Sequence, residues 1–223
     1  MNRLPSILCS LVLLTIARSA SSQSAAAPPT RATAPVTTGV SVGGFLDVGG
    51  LTLLAGDSAK AVLGRSTIPI VGVGGRFVWR EHLLAEARVG RMRQTGQRIY
   101  QIDGERFPLG IPLTIRLVPA EVTAGYRFSA RRHIRPFVGV GGGVVWYDED
   151  SRFAEGDENA RMAFGEYHVV GGGEIRVWKW ISASGSVVFS SVPHAIGGGG
   201  ISSDLGQTNL GGTSVRARVV IGR

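Results

Sequence analysis

From about residue 38 to the end of the chain, apolar residues return at every second position, in one run after another. The last run is the plainest: Val215, Ala217, Val219 and Ile221 alternate with Ser214, Arg216 and Arg218. A two-residue period is that of a β-strand, whose successive side chains point to opposite faces. The pattern predicts strands over about 38–50, 68–80, 83–92, 112–128, 136–147, 163–178, 180–190 and 213–222. In the first, Val40, Val42, Leu46 and Val48 share one face and Ser41, Gly43, Phe45 and Asp47 the other. In the fourth, Ala120, Val122, Ala124, Tyr126 and Phe128 oppose Glu121, Thr123 and Arg127, and the alternation slips near Val118-Pro119, which predicts a bulge or an edge irregularity there.

The charged positions decide which face looks inward. One face of nearly every strand is free of charge, with Arg91 at a rim the exception. The other collects Asp47, Arg76, Glu86, Arg88, Glu121, Arg127, Glu166, Glu174, Arg176, Arg216 and Arg218. A water-soluble sandwich or barrel buries its apolar face and could not take that set as its core. A barrel in a membrane turns the apolar face to lipid, where an Arg at mid-depth costs roughly 2–4 kcal/mol. The sequence therefore predicts an all-β fold, an eight-stranded antiparallel up-and-down transmembrane β-barrel over residues 38–223.

The spacing of the strands agrees. Short turns at about 81–82, 129–134 and 179 alternate with long connections at about 51–67, 93–111, 148–162 and 191–212. Trp79, Tyr126, Phe128, Trp178 and Trp180 then fall near the short-turn boundary and Trp146 and Tyr147 near the other, as an aromatic girdle. The 33 glycines and 18% charge of the 223 residues fit a turn-rich β-protein, and no apolar run after the N-terminus is long enough for a membrane helix.

Arg3, the apolar Leu8–Ile16 and the small residues that follow read as a secretory signal peptide over 1–23, removed on export. Residues 24–37, rich in Ala and Pro, read as a low-complexity periplasmic linker. Cys9, the only cysteine, lies in the leader, so the mature chain is expected to hold no disulfide and no Cys-based metal site. The net charge of +8 comes almost wholly from scattered Arg residues, with no basic stripe interleaved with aromatics, which argues against nucleic acid as a partner.

With Pro136-Phe-Val-Gly-Val-Gly-Gly-Gly-Val-Val-Trp146, Ala124-Gly-Tyr-Arg-Phe128 and Gly171-Gly-Gly-Glu-Ile-Arg-Val-Trp178 in hand, the chain resembles the small outer-membrane β-barrels of Gram-negative bacteria. The relatives in question are the transmembrane domain of outer membrane protein A and related β-barrel-domain proteins. The resemblance implies an integral outer-membrane location, contact with outer-membrane lipids and lipopolysaccharide, and insertion by the barrel assembly machinery. The final Gly222-Arg223 departs from the aromatic residue that usually ends such a chain, and no peptidoglycan-binding domain follows.

Other motifs carry blander readings. Pro69–Trp79 and Pro136–Trp146 are near copies that reflect shared barrel grammar, and their Gly runs lack the Lys-Ser/Thr and following helix of a phosphate loop. Inward Gly72, Gly74, Gly139, Gly141, Gly143 and Gly172 leave room for Arg side chains to cross the lumen. The expected pairs are Arg76 with Glu86, Arg88 with Glu121, and Asp47 with Arg216 or Arg218. His82 and His133 fall in turns, and His168 points inward as a filler. Ser190, Ser191 and His194 cluster without an acid partner, and Asp148, Glu149, Asp150, Glu155, Asp157 and Glu158 make an acidic loop. The expectation is a structural or surface-interacting barrel with no catalytic residues, metal or cofactor. Alternatives are a narrow porin-like channel or carrier for small or apolar solutes, and a lipid-modifying enzyme. The partner of the long loops is not indicated.

Overall fold

The computed structural model describes residues 39–102, 105–128, 134–151, 161–196 and 207–222. The expected leader and linker lie outside them, as do His133, Glu155, Asp157 and Glu158. Eight strands run in chain order: β1 (Val40–Leu53), β2 (Thr67–Trp79), β3 (Leu83–Ile102), β4 (Glu105–Arg127), β5 (Ile134–Ser151), β6 (Arg161–Arg176), β7 (Ile181–Ser191) and β8 (Gly212–Gly222). Each pairs antiparallel with the next, and β8 returns to β1, so the sheet closes into a barrel as the sequence predicts.

The strand registers set the width of the barrel. Starting at Gly43, the paired positions run through Arg76, Glu86, Thr123, Gly141, His168, Ser190 and Gly212 and return to β1 at Leu53, a stagger of ten residues. Closing a sheet with such a stagger tilts the strands by about 35–45°. Eight strands leave an interior that side chains can just fill.

The two faces are inverted relative to a water-soluble protein. Leu46 is 65% exposed beside Asp47 at 2%, and Val122 is 64% exposed beside Glu121 at 4%. Outside, Val42, Val48, Val73, Val140, Val169, Phe189, Val215 and Val219 make a continuous apolar surface.

Three features differ from the pattern-based expectation. The connection at 51–67 contains a short helix, α1 (Gly56–Leu63). Asp57 in its first turn and Lys60 in its last complement the helix dipole, and Gly64, with φ of 71°, donates its N–H to the Lys60 carbonyl and stops it. Eight residues are too few to hold a helix alone. Ala59 and Leu63 are instead buried against the upper lumen. Second, most of the expected loop at 93–111 is strand, because β3 and β4 continue as a hairpin. Pairing to β2 ends at Met92 and pairing to β5 ends at Leu113, so the rest of the hairpin rises past the wall as a two-stranded ribbon. Third, β4 does not slip at Val118–Pro119: Leu117, Pro119 and Glu121 keep one inward phase. The register shift lies between Gln97 and Ile99, where the opposing strand offers Pro112 and Pro108, neither able to donate to the ladder.

The backbone of Val62 and Leu63 lies where a Cβ at Gly96 would stand, so the helix rests directly on β3 at that glycine. Gly96→Val is expected to lift α1 from the barrel at a cost of roughly 1–3 kcal/mol while leaving the strands closed. Trypsin cleavage of the refolded protein after Lys60 and Arg65 should accelerate. Cleavage at the wild-type rate would show that the contact does not hold the helix.

Candidate functional site in the barrel lumen

The inward side chains sort into an apolar plug and a set of charged layers. At the long-loop end Leu51, Leu53, Ile68, Ile70, Met92, Leu117, Val145, Val192 and Leu210 form one buried cluster under α1. The interior is therefore polar, as the inward charges imply, only below this cluster. Several of the cluster's residues, Ile68, Ile70 and Leu117 among them, also have an apolar outward neighbour in Pro69, Val71 or Val118, so alternation gave little sign of them.

Below the plug the charges pair across the lumen. Arg88 forks onto Asp47, with Nε and Nη2 donating to the two carboxylate oxygens at 2.8 and 2.7 Å. Its Nη1 donates to Glu121 Oε1 at 3.1 Å. Arg216 forks onto the same Glu121 at 2.7 and 3.0 Å, while its Nε donates to Ser214 Oγ at 3.1 Å. Asp47, Arg88, Glu121 and Arg216 are thus one continuous chain of charge-assisted hydrogen bonds. Arg218 binds both oxygens of Glu86 at 2.8 and 2.7 Å, and its guanidinium lies 3.8 Å from the centre of the Phe45 ring. Arg76 forks onto Glu174, with Nη2 to Oε1 at 3.0 Å.

Two of the expected pairings are therefore replaced. Arg76 takes Glu174 in place of Glu86, and Asp47 takes Arg88 in place of Arg216 or Arg218. Arg76 and Glu86 are indeed neighbours in the sheet register. Long inward side chains instead span to strands on the far side: β2 to β6, β8 to β3 and β8 to β4. The contact between Arg88 and Glu121, also register neighbours, is present. Glycine gives Arg88 its space, since a Cβ at Gly72 would overlap its guanidinium.

His168 and Thr123 complete the middle of the lumen, hydrogen-bonded through Nε2 and Oγ1 at 2.8 Å, with Glu166 Oε1 3.9 Å from His168 Nδ1. Arg127 is buried at the short-turn end, where its Nε donates to the Glu81 carbonyl at 3.1 Å. Arg176, expected in the interior, is the last residue of β6 and is exposed at that end. Thr123 and Phe45 show the inward alternation that marks lumen residues, but neither carries a charge to single it out.

Trp79, Tyr126, Phe128 and Trp146 stand exposed on the outside, and Trp178 and Trp180 are exposed in the turn between β6 and β7. Tyr126 and Phe128 meet edge to face at 5.1 Å. Tyr147 does not join them: it follows Trp146 on the strand, so it turns to the lumen and packs on the apolar plug.

Ser190 and Ser191 have structural partners. Ser190 Oγ is hydrogen-bonded with the backbone of Gly212, and Ser191 Oγ accepts from Asn209 Nδ2 at 2.8 Å. Asn209 Oδ1 in turn accepts the N–H groups of Val192 and Gly211 at 2.9 and 2.8 Å, bracing the approach to β8. His194 is exposed, with φ of 58°. Asp148, Glu149 and Asp150 belong to strand β5 and not to a loop.

No protein-family model matches the sequence, and no curated protein matches it. Solved structures do match the coordinates. The N-terminal β-barrel domain of OprF from Pseudomonas aeruginosa has 12% identity and a TM-score of 0.47, over 82% of this chain and 97% of that one. The outer membrane protein OprG from Pseudomonas aeruginosa has 9% identity and a TM-score of 0.48, over 82% and 92%. Neisserial surface protein A has 9% identity and a TM-score of 0.47, over 82% and 95%. In fold, the chain is similar to small outer-membrane β-barrels. The plug and the charged layers described above are features of this chain's own residues.

Proposed function

We propose that the chain is an integral outer-membrane barrel with a sealed lumen, acting through its lipid-facing wall and its long-loop end. The observation that carries this reading is the inverted polarity: an apolar wall outside, and inside it carboxylates and guanidiniums that pair across the lumen. Both termini of the barrel lie at the short-turn end, which an even-stranded barrel of this kind keeps in the periplasm. Arg91 and Arg93 are exposed on the outer wall of β3, beyond Val89, where the apolar surface ends. Guanidiniums at that level suit the phosphates of outer-leaflet lipid and lipopolysaccharide. The β3–β4 ribbon and α1 make the surface offered to an extracellular partner, and the barrel assembly machinery is the expected route of insertion.

A sealed lumen sets this reading against a pore. The purified, detergent-refolded chain should migrate faster in SDS before boiling than after, and should add no channel events to a planar bilayer. Equal mobility together with solubility in the absence of detergent would overturn the membrane reading. Reproducible unitary conductance would overturn the sealed one.

A further inference from the structure

At the short-turn end the lumen widens into a cavity of about 300 Å³. Its lining includes Arg76, Arg127, Arg135, Arg176 and Lys179 against two carboxylates, Glu81 and Glu174. The balance is more uneven than the count suggests. Arg76 occupies both oxygens of Glu174, so that carboxylate is already engaged. Among the described residues, Arg135, Arg176 and Lys179 make no ion pair.

Arg127 is the informative side chain. It is 5% exposed, and its one hydrogen bond among the described residues is from Nε to the Glu81 carbonyl. Its Nη1 lies 3.8 Å from Glu174 Oε1, beyond hydrogen-bond reach. Among the described residues the outer edge of this buried guanidinium, two parallel N–H groups, therefore has no acceptor while the side chain lines an open cavity. A buried charge with unmet donors is costly unless something fills the place. The group that fits a guanidinium edge among further cations is a planar or tetrahedral oxyanion, bound bidentately.

We infer that the short-turn mouth of the barrel is a binding site for a phosphate group, held by the free edge of Arg127 and by Arg135 and Lys179. A volume near 300 Å³ is at the small end of ligand pockets and accommodates a phosphate with a modest substituent. The phosphate has two sources, a free solute of the compartment at that mouth or the headgroup of an inner-leaflet phospholipid reaching over the rim. Trp180 lines the same cavity and reports on its occupancy.

The test uses the full-length barrel refolded in a zwitterionic detergent, with tryptophan fluorescence as the readout. Inorganic phosphate is titrated against chloride at constant ionic strength, and phosphatidylglycerol is titrated into the same micelles in a second arm. Variant R135Q/K179Q removes two cations that no described carboxylate pairs, so the barrel and its unboiled SDS mobility should survive. Variant R91Q/R93Q removes two cations at the opposite end. Saturable binding of either probe, weakened about tenfold or more in R135Q/K179Q and unchanged in R91Q/R93Q, supports the site. Response to inorganic phosphate assigns the free solute, and response to phosphatidylglycerol alone assigns the headgroup. Binding to neither probe, or equal binding by R135Q/K179Q and wild type, overturns it.

Discussion

Glu121→Ala is expected to remove about 3–5 kcal/mol from the unfolding free energy of the barrel, the cost of leaving a buried charge without its partner. Glu121 is 4% exposed and receives three hydrogen bonds, two from Arg216 and one from Arg88. The two arginines are not affected equally. Arg88 keeps its fork on Asp47, whereas Arg216 is left with Ser214 alone. Most of the loss therefore falls on Arg216, and it should be recovered in large part by Glu121→Ala combined with Arg216→Met, which takes away the stranded cation. Urea unfolding of the refolded protein, followed by the SDS band shift, measures both. Equal midpoints for Glu121→Ala and wild type would show that the network contributes nothing. The same variant should remain closed to ions in a planar bilayer, because the apolar plug under α1 lies above Glu121 and is untouched.

The distinction between plug and network marks what could be read from the chain. Wherever inward residues are polar and outward ones apolar, as in Ser182–Phe189 or Ser214–Ile221, a two-residue rhythm reveals strand, face and environment together. Ile68, Ile70, Leu113 and Leu117 face inward too, but their outward neighbours include Pro69 and Val118, and the contrast is lost. The apparent slip at Val118–Pro119 is that loss of contrast and not a change of register. Helix α1 was hidden for another reason. Its eight residues carry two apolar positions that are buried only because the barrel mouth lies beneath them.

The lumen residues were legible as a set and not as partners. A period of two says that Arg76, Glu86, Glu174 and Arg218 all point inward. It does not say which of them meet, since that depends on the tilt produced by a ten-residue stagger and on side chains long enough to span the interior. Neighbouring strands are the natural guess, and it fails for Arg76 because Glu174, on β6, reaches the same guanidinium from across the lumen. Arg127 and the cavity it faces escaped for the complementary reason. A missing acceptor leaves no trace in a sequence.

Val122→Arg separates the membrane reading from any soluble alternative with one residue, directly beside Glu121. Val122 is 64% exposed on the outer wall, between Tyr126 toward one boundary and Arg116 toward the other. In water an exposed Val→Arg change on a strand shifts stability by a few tenths of a kcal/mol and improves solubility. In hydrocarbon the same guanidinium sits near mid-depth and costs roughly 2–4 kcal/mol. The expected result is a lower urea midpoint for Val122→Arg in phospholipid vesicles, with a smaller penalty for Tyr126→Arg near the boundary, where the side chain can reach the headgroups. Depth dependence is the decisive part of the measurement. Equal, small effects at both positions would mean that water and not lipid meets the outer wall, and the paired charges of the lumen would then need another explanation.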